Sequence, residues 1–149
     1  MTPAVVVEPV RPEHRAAWDQ LYAGYAKFYE VAQTPAMRDT VWAWLHDPSH
    51  EVDGFVAVVD GAPVGLAHVR RFARPLAAQV GLYLDDLFVD PAWRGHGVVN
   101  ALMGGIVAHA RAHGWTPVRW ITADDNYRAR SVYDRLGSRT GWLTYEIDV

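Results

Sequence analysis

The sequence contains no cysteine, and this absence excludes several kinds of chemistry at once. Disulfide bridges, cysteine-ligated zinc and a cysteine nucleophile all require a thiol. If this protein transfers an acyl group, the transfer therefore cannot pass through a cysteine-bound intermediate.

The chain also lacks polybasic blocks and long apolar runs. Its net charge is −3 and its 14 Lys and Arg residues are scattered, which argues against nucleic acid as the main partner and suits a small cationic substrate. The apolar runs are too short to cross a bilayer, so no membrane partner is expected. The first 14 residues lack the features of a secretory signal, so the expected location is the cytoplasm.

The length and composition of the chain are typical of one globular domain. Half of the 149 residues are hydrophobic and 12% are aromatic. A chain of this length buries roughly 70% of its unfolded surface, which is enough for a core. We therefore expect a single domain over residues 1–149, with one core and one site.

Hydrophobic periodicity predicts the order strand, two helices, three strands, helix, strand, helix and strand. A turn at Asp60-Gly61 is a strong hairpin signal inside the run of three strands. This order indicates an α/β chain with a mixed sheet and helices on its faces. The predicted strands are residues 4–10, 54–60, 63–72, 80–90, 117–124 and 142–149.

Two helices carry apolar stripes that are predicted to face the core. The stripe of the second helix, which starts near Thr34, is Met37, Val41, Trp44 and Leu45. The stripe of the third helix is Val99, Leu102, Met103, Ile106 and Ala110. Gly104 and Gly105 lie inside the third helix and favour close backbone packing there.

The segment "DLFVDPAWRGHGVVNALM", residues 86–103, has the pattern of a strand, a tight turn, a glycine-bearing loop and a helix start. Such an arrangement can hold phosphates on backbone N–H groups. A dinucleotide fold would need a third glycine where Asn100 stands, and a Walker loop would need Gly-Lys-Ser/Thr, which the chain lacks. Taken alone, Gly95-His96-Gly97 is explained equally well by an ordinary turn.

The order of "YLDDLFVDPAWRGHGVV" (83–99), a helix, a strand and "NYRARSVYDRLG" (126–137) is more specific. It resembles the GNAT superfamily of acetyl-CoA-dependent N-acetyltransferases, and most of all its small-amine and polyamine-type members. The resemblance covers most of the chain. It implies a GNAT-like fold: a mostly antiparallel sheet that is split near the cofactor site, with helices on both faces.

The resemblance also implies which residues bind acetyl-CoA. The pantetheine arm would pair with the backbone of the strand before the loop and contact Asn126, and Tyr133 would protonate the departing thiolate. Val99 stands where the family carries Gly or Ala. The implied cofactor residues are Leu87, Phe88, Val89, Arg94, Gly95, His96, Gly97, Val98, Val99, Asn126 and Tyr133.

The amine must lose a proton, and Asp85 is the candidate base or amine-binding carboxylate. It stands where similar polyamine-type enzymes carry Glu, one methylene longer. On a regular strand Asp85 and Asp86 face opposite sides, so only a bulge would bring both toward the cleft. His68 could also serve as a base, although a buried, hydrogen-bonded histidine is the simpler interpretation. Tyr29 and Glu30, between the first two helices, are expected near the amine.

Some of these residues also fit purely structural roles. Tyr133 alone would be a packed core tyrosine, and Asn126 alone would be a helix cap. His109 and His113 lie four apart, but no third ligand is near and no metal is expected.

The expected function is direct acetyl transfer to a primary amine of a polyamine, an amino acid or a lysine. The first alternative is a non-catalytic acyl-CoA-binding module, and the second is a nucleotide-binding domain. The final strand could pair with a second copy to give a homodimer.

Overall fold

The computed structural model describes residues 3–149. Within this range no helix combines the length and apolar character that crossing a membrane requires. The elements follow the predicted order up to the fourth helix. They are β1 (Val6–Pro9), α1 (Arg15–Phe28), α2 (Pro35–Leu45), β2 (Val52–Val59), β3 (Ala62–Arg74), β4 (Gln79–Val89), α3 (Val98–His113), β5 (Val118–Arg119) and α4 (Tyr127–Leu136).

The five strands form one mixed sheet in the order β1-β2-β3-β4-β5. The first four are antiparallel neighbours, and β5 is parallel to β4. The hairpin between β2 and β3 turns at Asp60 and Gly61, whose φ angles of 49° and 79° are the positive values that a type I′ turn requires. The predicted mixed, mostly antiparallel sheet and its hairpin are therefore confirmed.

Helix α3 covers one face of the sheet. Its buried side chains are Val98, Leu102, Met103, Ile106 and Ala110. The sequence pattern placed Val99 in the core, but the helix begins at Val98, and Val98 is the residue that is fully buried. Val99 is half-buried at the edge of the core.

The glycines of α3 differ in their surroundings. A Cβ on Gly105 would lie 2.7 Å from Cγ1 of Val7, so only glycine permits this approach of helix and sheet. Gly104 faces open space. The predicted close packing is therefore confirmed at Gly105 alone.

Helices α1 and α2 cover the other face through a second cluster built on Trp18 and Leu66. In α2 it is Trp42 that packs on Trp18, with ring centroids 5.0 Å apart, whereas Trp44 is exposed and stacks on His50. Met37 is exposed as well. The predicted stripe of α2 was wrong at these two positions, because α2 touches the cluster along a neighbouring line of side chains.

The strands at the C-terminal end are shorter than predicted. Strand β5 contains two residues instead of 117–124, and residues 142–149 form no strand. The local pattern of "WLTYEIDV" is that of a strand, but a strand needs a neighbour, and residues 3–149 of one chain provide none to it. The predicted final strand is therefore absent from the described chain.

Candidate active site

A cleft opens where β4 and β5 separate. The two strands pair only through Leu82 with Val118 and Tyr83 with Arg119, so no described strand pairs with β4 on that side after Tyr83. The cleft has a volume of about 360 Å³ and lies between the end of β4, the start of α3 and α4. The predicted residues that line it are Tyr29, Leu87, Phe88, Val89, Arg94, Gly95, Gly97, Val98, Val99, Asn126 and Tyr133.

The loop between β4 and α3 presents backbone N–H groups to this cleft. Gly95 and Gly97 have φ angles of 78° and 80°, which other residues adopt only with strain. Gly97 is the N-cap of α3. Its carbonyl oxygen accepts the first hydrogen bond of the helix, from the N–H of Ala101 at 3.0 Å. The amides at 98–100 therefore have no partner inside the helix, and a helix N-terminus of this kind attracts anions.

Three arginines stand around the cleft. Arg94 places its guanidinium 5.4 Å from the centroid of the Phe28 ring, at the loop end. Arg128 and Arg135 line the cleft from α4. The sequence analysis did not predict these two arginines. They are seven residues, or about two helical turns, apart, and this spacing indicates that they share one face of α4. Their charge suits phosphate groups.

The side chain of His96 points away from this wall. Its Nδ1 lies 3.0 Å from the carbonyl oxygen of Arg94, and its ring packs edge-on against Trp93. His96 is exposed and is not among the described residues that line the cleft. Only its backbone N–H is therefore left for the phosphate role predicted for it.

Asn126 and Tyr133 meet the cleft from α4. The Oδ1 atom of Asn126 accepts a hydrogen bond from the N–H of Ala129 at 3.3 Å, so Asn126 is a helix cap as well as a cleft residue. Tyr133 packs edge-on against Trp120 with ring centroids 5.4 Å apart. Burial raises the pKa of Tyr133, so its phenol keeps its proton at neutral pH. Such a group can donate a proton when an anion forms beside it.

A β-bulge in β4 holds the two candidate carboxyl groups, Asp85 and Asp86, and neither is among the described residues that line the cleft. On β3, His68 pairs with Asp86 and the next residue, Val69, pairs with Leu84, so Asp85 is the extra residue of β4. The bulge removes the strict alternation of a regular strand. The Tyr22 hydroxyl donates a hydrogen bond to Asp86 at 2.8 Å, and burial, followed by the charge of Asp86, raises the pKa of Tyr22.

The two carboxyl groups have opposite surroundings. Asp85 remains 35% exposed and accepts a hydrogen bond from Nε of Arg70 at 2.9 Å. Partial burial raises the pKa of Asp85, and the pKa stays above its usual value although Arg70 lowers it. Burial also raises the pKa of Asp86, but hydrogen bonds from His68 and Tyr22, each 2.8 Å long, outweigh it and bring the pKa of Asp86 below its usual value. A pair of acids with separated pKa values is typical of acid–base sites.

His68 is the buried, hydrogen-bonded histidine that the sequence suggested, with 2% of its surface exposed. Its Nδ1 contacts Asp86, and its Nε2 contacts the indole N–H of Trp18. Both ring nitrogens are therefore occupied, and His68 has no free nitrogen with which to take a proton from a substrate. Its direct contact with Asp86 makes it a support for that carboxylate.

The two residues expected near the amine, Tyr29 and Glu30, both follow the end of α1 but have different surroundings. Tyr29 follows α1, packs edge-on against Tyr25 with ring centroids 4.9 Å apart, and lines the cleft. Glu30 has a φ angle of 56°, is exposed and is not among the described residues that line the cleft. Tyr29 thus lines the cleft, whereas Glu30 does not.

Histidines 109 and 113 have a spacing that can bind a metal, but their surroundings do not complete a site. Nε2 of His109 lies 3.7 Å from a carboxylate oxygen of Asp53, and burial lowers the pKa of His109. Across residues 3–149, no group of three or more His, Cys, Asp or Glu side chains is placed to hold a metal ion.

The fold and this cleft define an acetyltransferase. The model of the acetyltransferase (GNAT) family matches residues 18–138. The chain therefore belongs to the GNAT family of N-acetyltransferases, which use acetyl-CoA.

Individual relatives support this assignment. The chain is 26% identical to the D-amino-acid N-acetyltransferase HPA3 of Saccharomyces cerevisiae, over 95% of the chain and 89% of that enzyme. It is 30% identical to the thialysine N-epsilon-acetyltransferase of Caenorhabditis elegans, over 65% of the chain and 63% of that enzyme. The crystal structure of a ribosomal-protein-alanine N-acetyltransferase from Brucella melitensis has the same fold, with a TM-score of 0.82, 20% identity and coverage of 98% and 99% of the two chains.

Proposed function

We propose that this protein transfers the acetyl group of acetyl-CoA directly to a primary amine of a small molecule, and that amino acids are its favoured acceptors. The observation that carries the proposal is the group of charges at the bulge of β4: the carboxyl of Asp85 accepts a hydrogen bond from the guanidinium of Arg70 at 2.9 Å, and Asp86 is its neighbour in the chain. The relatives named for D-amino acids and thialysine agree with such an acceptor.

The cleft suits acetyl-CoA in three ways. Its pyrophosphate requires N–H donors, and the helix start after Gly97 leaves several amides without a partner. Its other phosphate requires cations, and Arg128 and Arg135 line the same wall. Its pantetheine arm requires an open strand edge, which Leu87–Val89 provide beyond the short pairing with β5.

The acceptor side suits a molecule that carries both an ammonium and a carboxylate. Asp85 and Asp86 attract the ammonium, while Arg70 attracts the carboxylate. A polyamine has no carboxylate and would leave Arg70 held by Asp85 alone. This difference favours an amino acid over a polyamine.

The protons of the reaction can be followed group by group. A lysine-type ammonium has a pKa of about 10.4, so it must first give a proton to a base. Asp85, whose pKa is raised, receives that proton directly or through a water molecule. The neutral nitrogen then attacks the thioester carbonyl carbon, and backbone N–H groups near Leu87 and Phe88 stabilise the oxyanion. The C–S bond breaks, and Tyr133 donates its proton to the sulfur. The nitrogen loses its second proton as the amide forms, and that proton returns to the Tyr133 oxygen through water, which restores the phenol.

A thiol-release assay tests this function. The protein is incubated with acetyl-CoA and separate D- and L-amino acids, thialysine, polyamines, aminoglycosides or lysine peptides, and free coenzyme A is measured with a thiol reagent. Because the chain has no cysteine, the protein itself gives no signal. We expect release with amino acids above that with polyamines. Thermal stabilisation by acetyl-CoA without release from any amine would instead support a binding module.

A further inference from the structure

A second cavity lies between α1 and the turn that follows β4. It has a volume of about 550 Å³, against about 360 Å³ for the cleft. Side chains of α1 from Ala17 to Phe28 form one wall, and Pro63, Phe88 and the turn up to Arg94 form the other. The acetyl transfer proposed above needs only the cleft, so this second cavity is available to another molecule.

A glycine inside α1 keeps the second cavity open. Gly24 lies within α1 and lines the cavity, although glycine destabilises the interior of a helix relative to alanine. A Cβ on Gly24 would lie 3.4 Å from the ring of Phe88, which is an ordinary van der Waals contact, and the φ angle of Gly24 is not positive. Packing and backbone conformation therefore both permit a side chain here. Its absence leaves the Phe88 ring facing the cavity, as a ligand with an apolar surface requires.

The polar groups of the second cavity favour an anion. Lys27 and Arg94 line it, and neither forms a salt bridge with any residue in the range 3–149. The carboxylate among the described lining residues is that of Asp90, whose Oδ1 accepts a hydrogen bond from the N–H of Ala92 at 2.9 Å. Gln20 adds an amide. Two cations facing one carboxylate leave a positive wall, which attracts a carboxylate or a phosphate.

The rest of the lining is apolar and partly aromatic. Leu21 and the rings of Phe28 and Phe88 contribute to it, and the guanidinium of Arg94 lies 5.4 Å from the centroid of the Phe28 ring. Small-molecule sites combine such walls with a few polar groups that set the orientation of the ligand. Inorganic phosphate would leave the apolar wall uncovered. A carboxylate attached to a flat apolar body would satisfy both the cations and the rings.

The second cavity and the cleft share part of their walls. Phe28, Phe88 and Arg94 line both, and no other described residue does. Two anions on either side of one guanidinium compete for its hydrogen bonds and repel each other. We propose that the second cavity binds a small carboxylate with a flat apolar body, and that this ligand lowers the affinity for acetyl-CoA by competing for Arg94. The competition rests on the cofactor cleft of the proposed function, whereas the binding of the carboxylate does not.

Titration with simple carboxylates tests the site without coenzyme A. Benzoate, 3-phenylpropionate and hexanoate are added to ¹⁵N-labelled protein, and amide signals around Gly24 and Lys27 should shift with a Kd of about 1 mM or lower. The neutral 3-phenylpropanamide keeps the apolar body without the charge and should bind at least about fivefold more weakly. Shifts centred on α4, or no shift with any of the three acids up to about 10 mM, would overturn the proposal.

Variants of α1 locate the probe. Gly24→Leu fills the second cavity and should abolish binding of 3-phenylpropionate, whereas Ala16→Leu, at an exposed position of α1 outside the cavity, should leave it unchanged. Lys27→Gln removes one cation and should weaken probe binding at least about fivefold, with the Kd for coenzyme A unchanged in the absence of probe. Unchanged probe binding in Gly24→Leu would overturn the proposal. Weaker coenzyme A binding in Lys27→Gln would also overturn it, because the cavity would then belong to the cofactor site.

Calorimetry measures the coupling to coenzyme A. At saturating 3-phenylpropionate the Kd for coenzyme A should rise about fivefold or more, and by linkage saturating coenzyme A should raise the Kd for the probe by the same factor. Equal Kd values with and without the probe would overturn the competition. A protein that does not bind coenzyme A at all would refute the proposed function instead, and the probe titrations of the free protein would still decide whether the second cavity is a site.

Discussion

The indole N–H of Trp18 donates a hydrogen bond to Nε2 of His68 at 2.9 Å, in a region closed to solvent. An indole nitrogen can only donate, so Nε2 must be the acceptor. The proton of the neutral ring then lies on Nδ1, where it is donated to Asp86 at 2.8 Å. Trp18 and Asp86 therefore fix the tautomer of His68 from its two sides.

We predict that His68 carries its proton on Nδ1 and accepts a hydrogen bond at Nε2 at pH 7.5. Trp18→Phe should leave the proton on Nδ1, because Asp86 still accepts it, and should change the ¹⁵N shift of Nε2, which loses its donor. Long-range ¹H–¹⁵N correlation spectra of the imidazole distinguish the two tautomers. Trp44→Phe is the matched control, because Trp44 is exposed and stacks only on His50. A wild-type His68 protonated on Nε2 would contradict the hydrogen-bond direction.

Asp86 should make folding stability depend on pH. Its folded-state pKa is lowered, so its charge stabilises the fold above the unfolded pKa of about 3.9, and this contribution is lost as pH falls through the folded pKa. Asp86→Asn keeps an oxygen for both Tyr22 and His68 but removes the charge. Urea unfolding at pH 7 should show a loss of about 1–3 kcal/mol that shrinks below pH 3.9. The exposed Asp134→Asn should show no such loss, and a loss that is the same at every pH would refute the assignment.

Asp85 should control the acidic limb of the pH–rate profile. Its pKa is raised, so kcat/KM should increase as pH rises through that pKa, and Asp85→Asn should lower kcat/KM by about 10²-fold or more and remove the limb. Arg70 lowers the pKa of Asp85. Arg70→Gln should therefore move the limb to higher pH, while the exposed neighbour Arg71→Gln should leave it in place. An unchanged limb in Asp85→Asn would assign the base elsewhere.

The structural features that the sequence predicts correctly are those that neighbouring residues determine. The hairpin at Asp60-Gly61 and the element order follow from turn chemistry and periodicity, which neighbouring residues determine. The helix start after Gly97 follows in the same way. Most residues that line the cleft were predicted from the resemblance to the GNAT family, because its motifs fall on short segments of the loop and of α4.

The features that could not be predicted depend on which segments lie side by side in the folded chain. The bulge at Asp85 is defined by its register against β3, which the sequence of β4 alone cannot show. The exposure of Trp44 depends on how α2 lies over the sheet. The strand pattern at residues 142–149 was visible, but a strand forms only beside a neighbour, and the pattern of one segment does not say where that neighbour is.

Tyr133 should be needed for turnover and not for binding. Tyr133→Phe removes the proton donor but keeps the ring against Trp120, so kcat should fall by about 10²-fold or more while affinity for coenzyme A is kept. Calorimetry of coenzyme A binding and the thiol-release rate measure the two quantities separately. Tyr127→Phe is the control on the same helix, because Tyr127 is 73% exposed. Full activity of Tyr133→Phe would refute its role as the acid.

Val99 departs from the family pattern, but we expect it to leave coenzyme A binding intact. A phosphate needs the backbone N–H of this position, and valine has one. Val99→Ala should therefore change the Kd for coenzyme A by less than about threefold, while unfolding becomes easier by about 1 kcal/mol because the side chain packs at the core edge.

Val99→Pro separates the amide from the side chain. Proline is tolerated in the first turn of a helix but has no N–H. We expect this variant to weaken coenzyme A binding by about tenfold, the effect of one lost hydrogen bond of roughly 1.4 kcal/mol, with the far-ultraviolet circular dichroism unchanged. If Val99→Ala weakens binding as much as Val99→Pro does, the side chain and not the amide holds the cofactor, and the phosphate role of this loop would have to be assigned to other amides.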